Sequence, residues 1–361
     1  MKIPYAIPSL GKLEEDYVLD AIKSTWISGG VYIDCLEKSL EERLEVKNAI
    51  VVSNGTTALQ LAYMALGIKS GDEVIVPGFG FMAAANLLLH IGAIPVFSDV
   101  DPHTWCMTAL DVEKKITKNT KAIVPIHTYG NVCDMDDIMH IAGDIPVIED
   151  GAEALFSKYN GTYCGTIGSI GTFSMHATKT ITTGEGGFVV SNDDSISELM
   201  TTIRSHGLPK RGAYNHMLAG HNFRLTNVQA AIGCAQFTKV DWVITERERV
   251  FNTYKKCLDS QDGITFQTIT PGTDPVMWAV AVKLEPKSFP QGRDGVIEQF
   301  KSSEIETRPG FVPSSRLGYF LAHNVINSEI LGANVISFPT YPSLSDDDIS
   351  TICEKLISVR S

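Results

Sequence analysis

The sequence predicts an α/β protein: a mostly parallel sheet covered by helices, followed by a smaller α+β unit. Three observations predict it. Short β-branched runs alternate with helical patterns from about residue 48 to 200. Those runs are almost continuously apolar, as strands are when helices cover both faces of their sheet. Beyond about residue 260 the pattern changes to strands, Pro-bearing loops and helices, as in QTITPGTDPVMWAVAVKL and ISFPTYPSLSDDDISTICEKL. The 361 residues are enough for two domains at roughly 150 residues each. We place the division at 1–240 and 241–361.

In chain order, NAIVVSN (48–54) reads as a strand, and the helix after it turns Leu59, Ala62, Tyr63 and Leu66 to one face. DEVIVP (72–77), a helix through 83–91, PVFSDV (95–100) and a helix near 109–117 follow. KAIVPIH (121–127), a helix near 134–142 and IPVIED (145–150) complete the alternation. Such order implies right-handed crossovers and a ligand site at the carboxyl ends of the strands. GTFSMH (171–176) and GGFVVSND (186–193) are further strands, and ISELMTTIRSHG is a helix. From about 227 to 258 the pattern is helical with Thr226 as N-cap, and its length implies a bend.

Composition excludes several function classes. Apolar residues are 44% and charged residues 20%, which is ordinary for a folded globular chain. A net charge of −12 disfavours nucleic acid and anionic membranes as partners. The N-terminal stretch has no apolar h-region and no run is long enough to span a bilayer, so a cytoplasmic protein is expected. The seven cysteines lack C-x-x-C spacing, which fits reduced thiols. The nine histidines are scattered and H-E-x-x-H is absent, so no metal site is expected.

Three places could carry chemistry. Ser53-Asn54-Gly55-Thr56-Thr57-Ala58 stands where a strand turns into a helix, so its free N–H groups and hydroxyls suit a phosphate or simply an ordinary capped helix start. Asp150 ends a buried strand, with Glu149 and Glu153 beside it; a carboxylate there needs a cation, several donors or a helix to cap. Lys179 leaves an apolar strand into a loop of small and hydroxyl residues, where desolvation can free its amine as a nucleophile. Together they are what a pyridoxal phosphate site requires: an amine to bind the aldehyde, an acid for the pyridine nitrogen, and amides for the phosphate. Phe79 or Phe81 could stack on the ring.

Further segments carry a resemblance. They are Ser24–Ser28, Gly71–Pro77, Ile148-Glu-Asp150, Asn222-Phe-Arg-Leu-Thr-Asn227 with Gln229–Gly233, and Glu306-Thr-Arg-Pro309, besides the Gly55 and Lys179 loops. With them the chain resembles, over almost its whole length, the DegT/DnrJ/StrS family of sugar aminotransferases. The resemblance implies an aspartate-aminotransferase-like fold (fold type I) with a seven-stranded sheet, and pyridoxal 5′-phosphate as cofactor. It implies Lys179 as the catalytic residue and covalent anchor, Asp150 at the pyridine nitrogen and Glu153 near the phenolic oxygen. It also implies Phe81 on the ring, Gly55, Thr56 and Ser174 at the phosphate, and Asn227 reaching the phosphate of a neighbouring subunit. A homodimer with shared sites follows. Lys210, Arg211 and His216 would contact a nucleotide sugar, and Arg308 would lie near the sugar.

Thr182–Gly187 and Tyr214-Asn-His216 are similar to members that move an amino group from L-glutamate to a nucleotide-linked 4-keto-6-deoxysugar, with the 3-keto sugar as the alternative. Departures from the family pattern fall where the sugar or nucleotide should bind: Gly310-Phe-Val-Pro-Ser-Ser315, Met217 and His221. Related dehydratases carry His at the lysine position, so Lys179 argues for transamination. Two remoter alternatives remain. Gly78-Phe-Gly80-Phe-Met-Ala83 formally fits a dinucleotide-binding turn with Asp99 downstream, as in an NAD(P)-dependent oxidoreductase. A non-catalytic regulatory protein on the same fold is the other.

Overall fold

The computed structural model describes residues 3–209 and 214–361. Its centre is a seven-stranded sheet. The strands run in the order Asn48–Val52, Gly187–Ser191, Ile170–Ser174, Ile148–Asp150, Thr120–Ile123, Glu73–Pro77 and Ile94–Ser98. Parallel bridges from Ile123 to Val147 and from Ile126 to Asp150 join its two halves. Gly187–Ser191 is antiparallel to both neighbours, and the other pairings in the sheet are parallel.

Alternation along each strand builds two cores. Ala49, Val51, Ile75, Phe188 and Val190 face one way, against Leu36, Leu40, Ile138 and Ala230 of the helices on that side. Ile50, Val52, Val74, Val76 and Val189 face the other way, against Leu59, Ala62, Tyr63, Leu88 and Met200. Each fully buried Val, Leu, Ile, Phe or Met among them contributes about 1.5–3 kcal/mol. The result is three layers, helix–sheet–helix, with the strand ends free to form a site.

The expected long helix after Thr226 is two helices, Asn227–Phe237 and Val240–Leu258. Thr226 caps the first, accepting from the Gln229 N–H at 3.3 Å. The break falls at Thr238, whose hydroxyl turns back to the Ala235 carbonyl at 2.7 Å and so helps to end the first helix. Val240–Leu258 then packs with Asp346–Ser358 against an antiparallel sheet ordered Ile264–Phe266, Val280–Leu284, Val335–Phe338, Arg308–Pro309. Ile3 joins this third core, and its N–H donates to the Glu304 carbonyl at 3.0 Å. No helix among the described residues is long and apolar enough to cross a membrane.

Candidate active site

The site forms at the carboxyl ends of the central strands. Asp150 is 5% exposed. Its backbone is held in register by hydrogen bonds from its N–H to the Pro125 carbonyl and from the His127 N–H to its own carbonyl. One carboxylate oxygen accepts the Ala152 N–H at 3.1 Å, while the other accepts no hydrogen bond from the described residues. Burial pushes its pKa up, opposed by that N–H and by the nearby charge of Lys179.

Lys179 follows the strand Ile170–Ser174 and is half-buried. Its amine lies 3.8 Å from the ring centre of Trp278. Burial lowers its pKa, Glu153 and Asp150 pull it back up, and Arg247 lowers it further. Glu153 is buried and accepts the Tyr129 N–H at 2.8 Å. Burial raises its pKa to about 7, against the opposing pull of Lys179. Tyr129 presents that N–H from a left-handed backbone, φ 61°, which is costly for a bulky side chain.

Asn54 caps the helix Gly55–Ala65 through the Thr57 N–H, and Thr57 returns a bond to the Asn54 N–H. That leaves the N–H groups of Gly55 and Thr56 without partners among the described residues, at the positive end of the helix dipole. Across from them stands Ser174: a Cβ added to Gly55 would meet the serine Cβ at 3.0 Å. A cradle of free amides and a hydroxyl, a buried acid with a free oxygen, and a desolvated amine together fit the phosphate, pyridine nitrogen and aldehyde of pyridoxal phosphate.

The two aromatic candidates separate. Phe79 is buried against Tyr129 and Phe311, whereas Phe81 is 62% exposed and lines a cavity of about 640 Å³ with Thr56, Met82, Asn86 and Tyr319. Gly80 makes this possible, turning the chain between them at φ 151°.

Other expected residues lie elsewhere. Asn227 is 1% exposed, and its amide is committed within its own chain. It donates to the Trp26 carbonyl at 2.7 Å and accepts the Tyr32 N–H at 3.0 Å. His216 is exposed, its ring hydrogen-bonded to the His206 carbonyl at 2.7 Å. Arg308 pairs with Glu306 at 2.6 Å and lies over the ring of Tyr5. Lys210 and Arg211 lie outside the described residues.

Sequence reasoning missed two neighbours of Lys179, Trp278 and Arg247, and one of Glu153, Tyr5. Tyr5 is electrostatically coupled to Glu153, Arg308 and Arg247, and burial raises its pKa to about 12. Trp278 lies under the lysine amine, and the Arg247 guanidinium reaches the lysine carbonyl at 3.2 Å. None sits in a motif; the contacts join segments far apart in the chain. Glu149, noted only as flanking Asp150, accepts N–H groups of Gly165, Ile167 and Gly168 and faces His127 at 3.0 Å. It anchors a loop.

Comparison with known proteins agrees with this geometry. Residues 8–357 match the DegT/DnrJ/EryC1/StrS aminotransferase family. The chain is 40% identical to GDP-perosamine synthase of Escherichia coli O157:H7, over 98% of this chain and 97% of that one. PseC of Helicobacter pylori, an aminotransferase involved in pseudoaminic acid biosynthesis, superimposes with a TM-score of 0.94 at 27% identity, covering 99% of each chain. An E. coli GDP-4-keto-6-deoxy-D-mannose-3-dehydratase with bound hydrated PLP does so with a TM-score of 0.91 at 26% identity, covering 99% of each. With a family match of this extent the oxidoreductase alternative has no support, and Gly78–Ala83 instead seats Phe79 in the core. The chain belongs to the DegT/DnrJ/EryC1/StrS aminotransferase family and has its fold type I architecture.

Proposed function

We propose that this protein is a pyridoxal phosphate-dependent nucleotide-sugar aminotransferase that transfers the amino group of L-glutamate to a GDP-linked 4-keto-6-deoxysugar. The observation that carries the reading is the desolvated Lys179 amine flanked by two buried acids, Asp150 and Glu153, beside the Gly55–Ser174 cradle. The 40% identity to a GDP-perosamine synthase over nearly the full length supports the choice of nucleotide and ring position.

Bound pyridoxal phosphate supplies an electron sink that stabilises negative charge on the carbon losing its proton. Lys179 holds the cofactor at rest. With the cofactor bound, the Lys179 amine would move the proton lost from the donor's α-carbon, and would return one on the sugar side. Burial lowers the lysine's pKa and so favours the neutral amine that such a role needs, a role typically worth ~10²–10⁴ in rate. Asp150 keeps the pyridine nitrogen protonated through its free oxygen. Glu153 faces the phenolic oxygen, and its pKa of about 7 lets it hold or release a proton there near neutral pH. Gly55, Thr56 and Ser174 bind the phosphate, and Phe81 covers the ring.

The sugar and nucleotide side is formed by His216, Arg308 and the Lys210–Arg211 segment. Asn227, which is tied to the loop at 26–32, would reach the cofactor phosphate of the neighbouring subunit. Trp26 (59% exposed), Ile27 (55%) and Val31 (72%) on that loop form an apolar strip, which supports a homodimer with sites shared between subunits. The proposed division is 1–240 and 241–361, with residues 3–5 packed on the second unit. The cytoplasm is the expected location.

The test is Lys179→Ala. It abolishes covalent retention of pyridoxal phosphate, read by borohydride trapping and mass spectrometry, and abolishes glutamate-dependent amination of GDP-4-keto-6-deoxymannose. Substantial turnover by that variant would overturn the assignment.

A further inference from the structure

Arg247 is a buried arginine, 3% exposed, with no hydrogen bond or salt bridge to a carboxylate among the described residues. Instead Nη1 donates to the Trp278 carbonyl at 2.9 Å and Nη2 to the Lys179 carbonyl at 3.2 Å. Its Nε is buried with no hydrogen-bond partner among the described residues. Trp278 closes the ring of contacts: its Nε1 donates to the Thr178 carbonyl at 2.8 Å, and its indole lies under the Lys179 amine. The peptide units on both sides of the Lys179 Cα are therefore held by one pair of side chains. Leaving a guanidinium dehydrated without a counter-charge is expensive, and two carbonyls recover only part of that cost.

We propose that Arg247 is the positioning residue of Lys179, its planar fork joining the Lys179 and Trp278 carbonyls so that the amine is fixed above the indole face. The inference rests on the reading of Lys179 as the cofactor's anchor. A lysine could not replace the fork, because a single ammonium on a flexible stem does not hold two carbonyls in a fixed plane. The charge has a second effect. The groups acting on the Lys179 amine are Glu153 and Asp150, which favour its protonation, and Arg247, which opposes it; Tyr5 faces Arg247 in turn.

Arg247→Lys and Arg247→Gln, made in the full chain, separate the two effects. In cofactor-free protein, competitive acetylation with acetic anhydride across a pH series reads the Lys179 half-point against exposed Lys38 and Lys301. Arg247→Gln is expected to raise it by about one unit, cutting Lys179 labelling near neutral pH about tenfold. Arg247→Lys is expected to leave the half-point in place yet slow borohydride-trappable capture of pyridoxal phosphate by about tenfold, since charge is kept and the fork is lost. An unmoved half-point in Arg247→Gln, or capture at the wild-type rate by Arg247→Lys, would overturn the proposal. Should Arg247→Gln fail to fold, judged by circular dichroism, Arg247→Lys decides alone. Wild-type protein that captures no cofactor at Lys179 would sink the functional reading instead, and the acetylation series would still report on Arg247.

Discussion

Gly55 faces Ser174 so closely that a methyl group on the glycine would stand 3.0 Å from the serine Cβ. The contact joins the first residue of a helix to the last residue of a strand, and the free N–H groups of Gly55 and Thr56 open beside it. Gly55→Ala should therefore fill the cradle while leaving the fold intact. The expected outcome is a loss of at least about tenfold in pyridoxal phosphate affinity, about 1.4 kcal/mol, by absorbance titration. The melting temperature of the cofactor-free protein should barely move.

Asp150→Asn replaces an anion by a neutral amide of the same shape. A kcat loss of ~10²–10⁴ is expected, with the KM for glutamate changed far less, because the acid acts on the charge developed during reaction. Steady-state kinetics check it, and an unchanged kcat would remove Asp150 from its role.

Glu153 carries a pH signature. Its pKa is raised to about 7 in the folded protein, from 4.5 as a free side chain, so between those values the folded state holds more protons than the unfolded state. Stability of the cofactor-free protein is then lost as pH rises through that window. Glu153→Gln removes the loss. It should be more stable than wild type by about 1–3 kcal/mol at pH 8 and indistinguishable near pH 4.5, measured by denaturant unfolding at both pH values.

Glu149→Gln should fail for a different reason. The Cys133 N–H donates to Nδ1 of His127, which leaves the ring proton on Nε2 to donate to Glu149. Glu149 thus accepts four donors, two on each oxygen. A glutamine must turn its NH₂ toward two of them. A destabilisation of about 2–4 kcal/mol is expected from denaturant melts, without any direct part in the reaction.

Much of this was legible in the sequence for physical reasons. The strands were readable because apolar runs such as those in Asn48–Val52 and Glu73–Pro77 are what a sheet buried on both faces demands. Lys179, Asp150 and Gly55 stood out because each sits at or just beyond a strand end, which is where such sheets place ligands. Asn227 shows the limit. A polar residue at a helix start gives no sign of which groups of its own chain its amide will meet, and here the Trp26 carbonyl and the Tyr32 N–H do so. Arg247 and Trp278 were hidden for a related reason: they reach Lys179 across long stretches of chain, as Tyr5 reaches Glu153, and no local pattern encodes that.

The pairing of the first described residues with the C-terminal sheet constrains how the molecule comes together. The Tyr5 N–H binds the Glu306 carboxylate 301 positions along the chain, and its carbonyl accepts from Thr340. On a ribosome this segment emerges long before Glu306 and Thr340, and its pairing waits for both to be made. Loop closure over such a span comes late and contributes to slow folding. Tyr5 interacts electrostatically with Glu153 and Arg247, so the setting of Glu153 is complete only after that docking. A nascent chain that has not yet reached Thr340 would hold Glu153 in an unfinished environment.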